Sequence, residues 1–302
     1  TARLIDRPMR PLFPEDYRND VSLNNLVLSV EQDCSPELLA MLGSAIATSI
    51  SDIPFDGPTA ATMVGLVNGE LVFNPTADQR EETELSLTVA STREKVIMIE
   101  ASANEVPEDT MIEAIFAAHE LNKKVIEFID TIVAECGKEK HDYERHEIPQ
   151  ELYEDIVNFI TPEKMEKAVF TDVKQVREEN ISKLIDELTE RYEEDNPDWL
   201  PIISEAVDKF QKNTVRKMIL KDHKRPDGRK LDEIRRLYGE IDVLPRTHGS
   251  ALFSRGQTQV LTVTTLGPLA ETQRLDGLDE QETGKRYMHH YNFPSYSVAE
   301  TR

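Results

Sequence analysis

Hydrophobic and polar positions divide the chain into three stretches with different periods. From residue 1 to about 136, short β-rich runs alternate with amphipathic helices. Val21–Val30 is rich in Val and Leu and reads as a strand. Ser35-Pro36 then offers an N-cap followed by Pro at the first helical position, and Leu38, Leu39, Leu42, Ala45 and Ile46 follow at helical spacing. Asn68-Gly69 separates Met63–Val67 from Leu71–Phe73 and predicts a hairpin with a type I′ turn. Glu84–Ala90 and Lys95–Glu100 read as two further strands. Pro107 opens a long helix whose apolar stripe runs from Met111 through Ile115, Ala118, Leu121 and Val125 to Ile132.

From about 141 to 222 the period is helical throughout. One stripe holds Leu152, Ile156, Phe159 and Ile160; a second holds Val173, Val176, Leu184, Ile185, Leu188 and Tyr192; a third holds Leu200, Ile203, Val207, Phe210 and Met218. Thr161-Pro162 and Asn196-Pro197 punctuate them, Trp199 anchors a helix start, and the acidic run Glu187–Asp198 reads as a solvated helix end. At Arg225-Pro226-Asp227-Gly228-Arg229 turn chemistry returns, and Glu240–Leu244, Ser250–Ser254 and Gln257–Leu266 read as strands with a tight turn at Arg255-Gly256. The alternation of Leu261 and Val263 against Val260, Thr262 and Thr264 suits a half-buried sheet. The expected fold class is α+β, with domains at 1–136, 141–222 and 225–302.

Composition narrows the function classes. The chain has 302 residues, enough for about two full domains. It has no apolar run of the ~20 residues a bilayer span needs, so a cytoplasmic setting without membrane contact is expected. Two distant cysteines, Cys34 and Cys136, argue against a disulfide framework and read as free thiols within the packing. The net charge of −22 has the wrong sign for a protein that grips nucleic acid over its whole surface, so RNA would have to meet a local basic site.

Set in order, TARLIDRPMRPLFPEDYRNDV, the helical middle, RPDGR, PRTHGSALFSRGQTQ and YNFPSYSV resemble the polynucleotide phosphorylase family of bacteria and organelles. The resemblance implies two RNase PH-like cores, of the fold seen in ribosomal protein S5 domain 2, flanking a small all-α domain. Both cores are expected to be incomplete, because the chain reads as an internal piece cut at both ends. The implied reaction is phosphorolysis: phosphate attacks the 3′-terminal phosphodiester of RNA and releases nucleoside diphosphates, with Mg²⁺ assisting, and the reverse direction polymerises them. The implied partners are single-stranded RNA 3′ ends, phosphate, nucleoside diphosphates, two further copies in a homotrimer and components of an RNA degradosome. A non-catalytic RNase PH-like scaffold that threads RNA is the alternative.

The family's catalytic ligands are an arginine pair, a serine pair at a helix N-terminus, and aspartates with a lysine on a later strand of the second core. They are expected after Arg302, so this chain is expected to hold no catalytic and no metal-binding residue. In the first core the corresponding places read Ser35-Pro36-Glu37, followed by Gly43-Ser44-Ala45, and Glu84, Ser86 and Thr88, with glutamate where phosphate would have to sit. That core is expected to be inert. The residues singled out for RNA contact are Arg246, His248 and Arg255, read as two arginines and an imidazole around a Gly-rich turn or as a hairpin with exposed basic residues and a hydrogen-bonded histidine, and Tyr291 and Phe293, read as bases' stacking partners or as core. Arg3, Arg7 and Arg10 share a helical face and are expected to pair with carboxylates such as Asp6, Glu15 or Asp16, or to make a subunit contact. His289-His290 lies on an expected strand, where neighbours point apart and do not share a metal.

Overall fold

The computed structural model describes residues 1–278, 284–298 and 300–301; Arg302 lies outside the described residues. The chain divides into two compact units, residues 1–146 with 272–302, and residues 147–271.

The first unit opens with α1 (Ala2–Met9) and, after a 3-10 turn at Arg10–Leu12 and an irregular stretch, α2 (Pro36–Ile50). The Leu38 N–H donates to Ser35 Oγ at 3.4 Å, so the predicted cap and the helix start agree with the sequence reading. Strands β1 (Ala60–Val67) and β2 (Glu70–Phe73) form the expected hairpin, with Asn68 at φ 52° and Gly69 at φ 80°, as a type I′ turn requires. A short helix, α3 (Ala77–Glu82), follows behind a capping box of Thr76 and Gln79. Strands β3 (Leu85–Ser91) and β4 (Val96–Ala103) complete an antiparallel sheet of order β2-β1-β3-β4, and α4 (Glu108–Cys136) closes the layer.

Strand alternation decides what each helix covers. Val64, Leu66, Leu85, Leu87 and Val89 pack with Ala114 and Ala118 of α4. On that interface Asn122 donates to Val89 O at 3.0 Å and to Ser91 Oγ at 2.9 Å and accepts from Thr62 Oγ1 at 2.7 Å, so a fully buried amide is satisfied. Ala90 and Met98 instead join Ile5 and Met9 of α1 and Met41 of α2. Beyond α4 the chain folds back: Lys140 Nζ donates to the carbonyls of Thr48, Ser49 and Ser51 at 3.2, 2.9 and 2.7 Å and caps the C-terminus of α2. Tyr143 donates to Asp16 Oδ1 at 2.7 Å, and that bond holds the Asp16 carboxyl below the usual carboxylate range.

Two expectations for this unit fail. Val21–Val30 lies in no strand and forms no ladder among the described residues, and Leu26 and Leu28 are 85% and 93% exposed. A strand needs a partner as well as β-forming residues. Cys34 and Cys136 are free, as read, but both are exposed rather than packed.

The second unit begins with α5 (Gln150–Val169), α6 (Lys174–Tyr192) and α7 (Ile203–Leu220), whose apolar stripes merge into one core around Leu152, Ile156, Ile160, Leu188, Ile203 and Val207. Thr161-Pro162 kinks α5, with Thr161 at φ 56°. Trp199 meets Tyr192 edge-on at 5.2 Å, as its anchoring role predicts. Burial and the neighbouring Asp155 carboxylate push the Tyr192 hydroxyl well above the ordinary tyrosine range.

Strands β5 (Leu237–Ile241), β6 (Gly249–Arg255) and β7 (Thr258–Thr264) make an antiparallel sheet in that order. The first strand lies three residues earlier than expected. Every residue of β7 is exposed, so the half-buried sheet that its alternation predicts is not found among the described residues. Two-residue strands β8 (Gln273–Arg274) and β9 (Gly284–Lys285) pair within the first unit.

Candidate nucleic-acid interface

Charge is distributed unevenly along the chain. Residues 1–146 carry 27 acidic and 12 basic side chains, whereas residues 222–302 carry 12 of each. An anionic polymer therefore meets least repulsion in the last stretch.

That stretch starts with a knot of charge at RPDGR. Arg229 donates to Asp227 Oδ2 through Nε at 2.9 Å and Nη2 at 2.7 Å, while Arg235 and Arg225 approach the same carboxylate at 3.5 and 3.8 Å. The Asp227 side chain is 17% exposed. The bond from Arg229 is the main cause holding its carboxyl below the usual carboxylate range, against an opposing contribution from burial. Gly228 takes φ 75°, which the Pro-Asp-Gly turn needs. The knot is structural, because its arginines are engaged with Asp227 and with the carbonyls of Lys230 and Glu233.

The loop from Asp242 to His248, between β5 and β6, is built differently. Asp242 and Arg246 both lie in the left-handed region, at φ 57° and 67°. Such a conformation costs a non-glycine residue on the order of 1 kcal/mol and persists only where neighbours enforce it. The enforcing bonds are Asp242 N–H to Ser250 O at 2.8 Å, Leu244 N–H to Ser250 Oγ at 2.9 Å and Thr247 Oγ1 to Leu244 O at 3.2 Å. Leu266 N–H donates to His248 Nδ1 at 2.9 Å, which ties the loop to the chain just after β7. Arg246 itself is exposed and has no ion pair among the described residues.

Arg246, His248 and Arg255, singled out for RNA contact, do not sit around one turn. Arg246 and His248 sit together in this loop. Arg255 lies at the far end of β6, about 20 Å away at the rise of a strand, beside the turn where Gly256 takes φ 60°. The single Gly-rich turn expected from the sequence is thus two turns at opposite ends of one strand. Tyr291 and Phe293 belong to the other unit. They are 70% and 58% exposed, stack on each other at 6.2 Å and 28°, and lie in neither a strand nor a core.

The remaining expectations are structural. Arg10 pairs with Asp6 at 2.7 Å, and Arg7 reaches Glu100 at 2.5 Å, a partner its sequence neighbourhood did not suggest. In the first core Ser35 Oγ donates to Glu37 Oε2 at 3.0 Å, so the chain's own carboxylate stands at the N-terminus of α2. A cleft of about 270 Å³ beside it is lined chiefly by apolar side chains, including Leu38, Leu42 and Met63, with no cation. A phosphate would find repulsion there and no counter-charge. Among the described residues no three His, Cys, Asp or Glu side chains converge to hold a cation, so the groups present do not fit Mg²⁺. Among the described residues no helix is long and apolar enough to cross a membrane.

One basic feature escaped the sequence reading. Lys209, Lys212 and Arg216 occupy one exposed face of α7, opposite Val207, Phe210 and Thr214 in the core. The i, i+3, i+7 spacing was the available signal, but the helix was read for its apolar stripe alone.

Comparison with known proteins places these features. Three family models match in succession: "3' exoribonuclease family, domain 2" at residues 57–120, "Polyribonucleotide nucleotidyltransferase, RNA binding domain" at 151–230, and "3' exoribonuclease family, domain 1" at 233–302. RNase PH domains thus flank the helical region. The basic face of α7 lies within the second match. Polyribonucleotide nucleotidyltransferases of Lachnoclostridium phytofermentans, Caldicellulosiruptor saccharolyticus and Clostridioides difficile are 72%, 53% and 52% identical to the chain over its whole length. The chain spans 43% of the length of each. A solved chain, rice (Oryza sativa) Rrp46, is similar over 35% of this chain and 51% of its own, at 18% identity and a TM-score of 0.30. With the domain order of the models and identity along its full length, this chain belongs to the polyribonucleotide nucleotidyltransferase, or polynucleotide phosphorylase, family.

Proposed function

We propose that the chain is part of a phosphate-dependent 3′→5′ exoribonuclease that releases nucleoside diphosphates from RNA and runs in reverse as a template-independent polymerase. Within it, residues 1–136 act as a non-catalytic core, residues 141–222 as a helical RNA-binding connector, and residues 225–302 as the beginning of the working core. The observation that carries this division of labour is at α2, where Glu37 bonds Ser35 and stands at the helix N-terminus. An anion site with a fixed carboxylate cannot serve phosphate, so the chemistry belongs to another part of the protein.

Arg246 is the RNA contact best supported by geometry: a cation without an ion pair among the described residues, held at a costly φ by a bonded loop in the part of the chain with no excess of acid. Arg255 offers a further contact to the backbone, and the exposed pair Tyr291 and Phe293 a stacking contact to bases. Mg²⁺, bound outside these residues, would neutralise charge on the transferring phosphoryl group, as phosphoryl chemistry requires. The working assembly is a cytoplasmic homotrimer that can join a bacterial RNA degradosome, in keeping with mRNA degradation.

The test uses the full-length protein with 5′-labelled oligo(A), phosphate and Mg²⁺. Shortening from the 3′ end that requires phosphate and yields ADP is expected. Shortening without phosphate, or AMP as the product, would refute the proposal. RNA binding with no shortening would favour the threading scaffold.

A further inference from the structure

His248 invites a direct role, since an imidazole beside an arginine can bind phosphate. Its geometry says otherwise. Nδ1 accepts the Leu266 N–H at 2.9 Å, so that nitrogen carries no proton and is engaged within the protein, while the ring's N–H is at Nε2. The last backbone pair of the β6–β7 ladder is Gly249 with Thr264. His248 and Leu266 lie just beyond it, and the imidazole supplies a further rung where the two backbones no longer pair. The bond spans 18 residues of sequence, so it closes the loop carrying Arg246 against the end of β7.

We propose that His248 is a positioning residue: its Nδ1 locks the 242–248 loop in the strained form that presents Arg246 to an RNA phosphate, and the imidazole does not touch RNA. The proposal rests on the reading of Arg246 as an RNA contact. An arginine at φ 67° relaxes when the loop is free to do so. Two of the loop's other bonds go to Ser250 of β6 and the third joins Thr247 to Leu244 within the loop, so among the bonds named above only that of His248 reaches the chain beyond β7. Loss of the His248 bond therefore costs RNA affinity through Arg246, and only through it.

Side-chain chemistry separates this role from direct contact. Asn places its Oδ1 close to the position of imidazole Nδ1 and can accept from Leu266 N–H, whereas Leu cannot accept at all. The experiment measures binding of labelled oligo(A) to the full-length protein and to its R246A, H248N, H248L and R246A/H248L variants. Hydrogen exchange at the Leu266 amide is followed in parallel.

R246A and H248L should each weaken binding about tenfold, in line with loss of one charge-assisted contact. H248N should stay within about twofold of the parent. The double variant should bind no more weakly than R246A, because two residues acting through one contact are not additive. Leu266 exchange should quicken in H248L and remain slow in H248N.

Additive losses in the double variant would show His248 touching RNA itself and overturn the proposal. So would H248N binding as weakly as H248L while Leu266 stays protected. An R246A variant that binds like the parent would remove the contact His248 is said to position, yet leave phosphorolysis and the proposed function standing. Failure of the parent to bind RNA would instead refute the proposed function.

Discussion

Replacing Arg246 by glycine should strengthen the protein and weaken its grip on RNA, a separation that follows from a single backbone angle. At φ 67° the arginine Cβ crowds the backbone, at a cost on the order of 1–2 kcal/mol. Glycine removes that cost but adds about 0.4–1 kcal/mol of unfolded-state freedom. The net gain is about 0.5–1 kcal/mol. Alanine keeps a Cβ and hence the strain, and because Arg246 has no ion pair among the described residues it should leave stability near the parent's. Native-state hydrogen exchange of amides in the 242–250 loop and β6 is the suitable assay, since it reads local opening in a chain of two units that need not melt together. The expected order of loop stability places R246G above R246A, with R246A close to the parent. Both substitutions remove the cation, so both should weaken oligo(A) binding about tenfold and flatten its salt dependence by ~0.7 in log–log slope. A glycine variant less protected than the alanine variant would refute the claim that the loop is strained at this residue.

Other substitutions probe the scaffold. D227N leaves three arginines around a neutral amide and should cost about 2 kcal/mol at neutral pH, a value discounted for partial exposure. The Asp227 carboxyl is held below its ordinary value, so its contribution is present above about pH 4 and fades as acid carries the pH down through its folded value; D227N should lose that part of the acid transition in a urea titration. I156A empties a fully buried site in the helical core and should cost about 2–5 kcal/mol by thermal melting. G69A forces a Cβ onto φ 80° in the hairpin turn and should cost about 1 kcal/mol, read by exchange of β1 and β2 amides. K140M uncaps two carbonyls of α2 and that of its C-cap Ser51 and should quicken exchange at its last turn with little effect on β3.

Local signals explain what the sequence made legible. Ser35-Pro36, Asn68-Gly69 and Pro107 act within a few residues of themselves, and the helices and hairpin they predict are present. The three apolar stripes of the middle stretch need only helical period to be read, and apart from Val173 and the exposed Val176 they form one core. Failures concern partners distant in sequence. Val21–Val30 has the composition of a strand and no ladder among the described residues. Arg246, His248 and Arg255 lie within ten residues of each other, yet the rise of β6 sends Arg255 to the opposite end of the sheet. The role of His248 depends on Leu266, and no local pattern announces that bond. At α2 the reverse holds: the charge of Glu37 near the helix start is readable in the sequence, and its bond to Ser35 adds the geometry. The small helix Ala77–Glu82 was overlooked although Thr76-Ala77-Asp78-Gln79 spells a capping box.

Transfer of labelled phosphate into ADP from poly(A) with Mg²⁺ decides whether phosphorolysis belongs to the whole protein rather than to these 302 residues. The full-length protein should produce labelled ADP, and the 302-residue chain at equal concentration should produce none. Labelled ADP from the chain alone, free of host enzyme, would mean that the working site lies within residues 1–302.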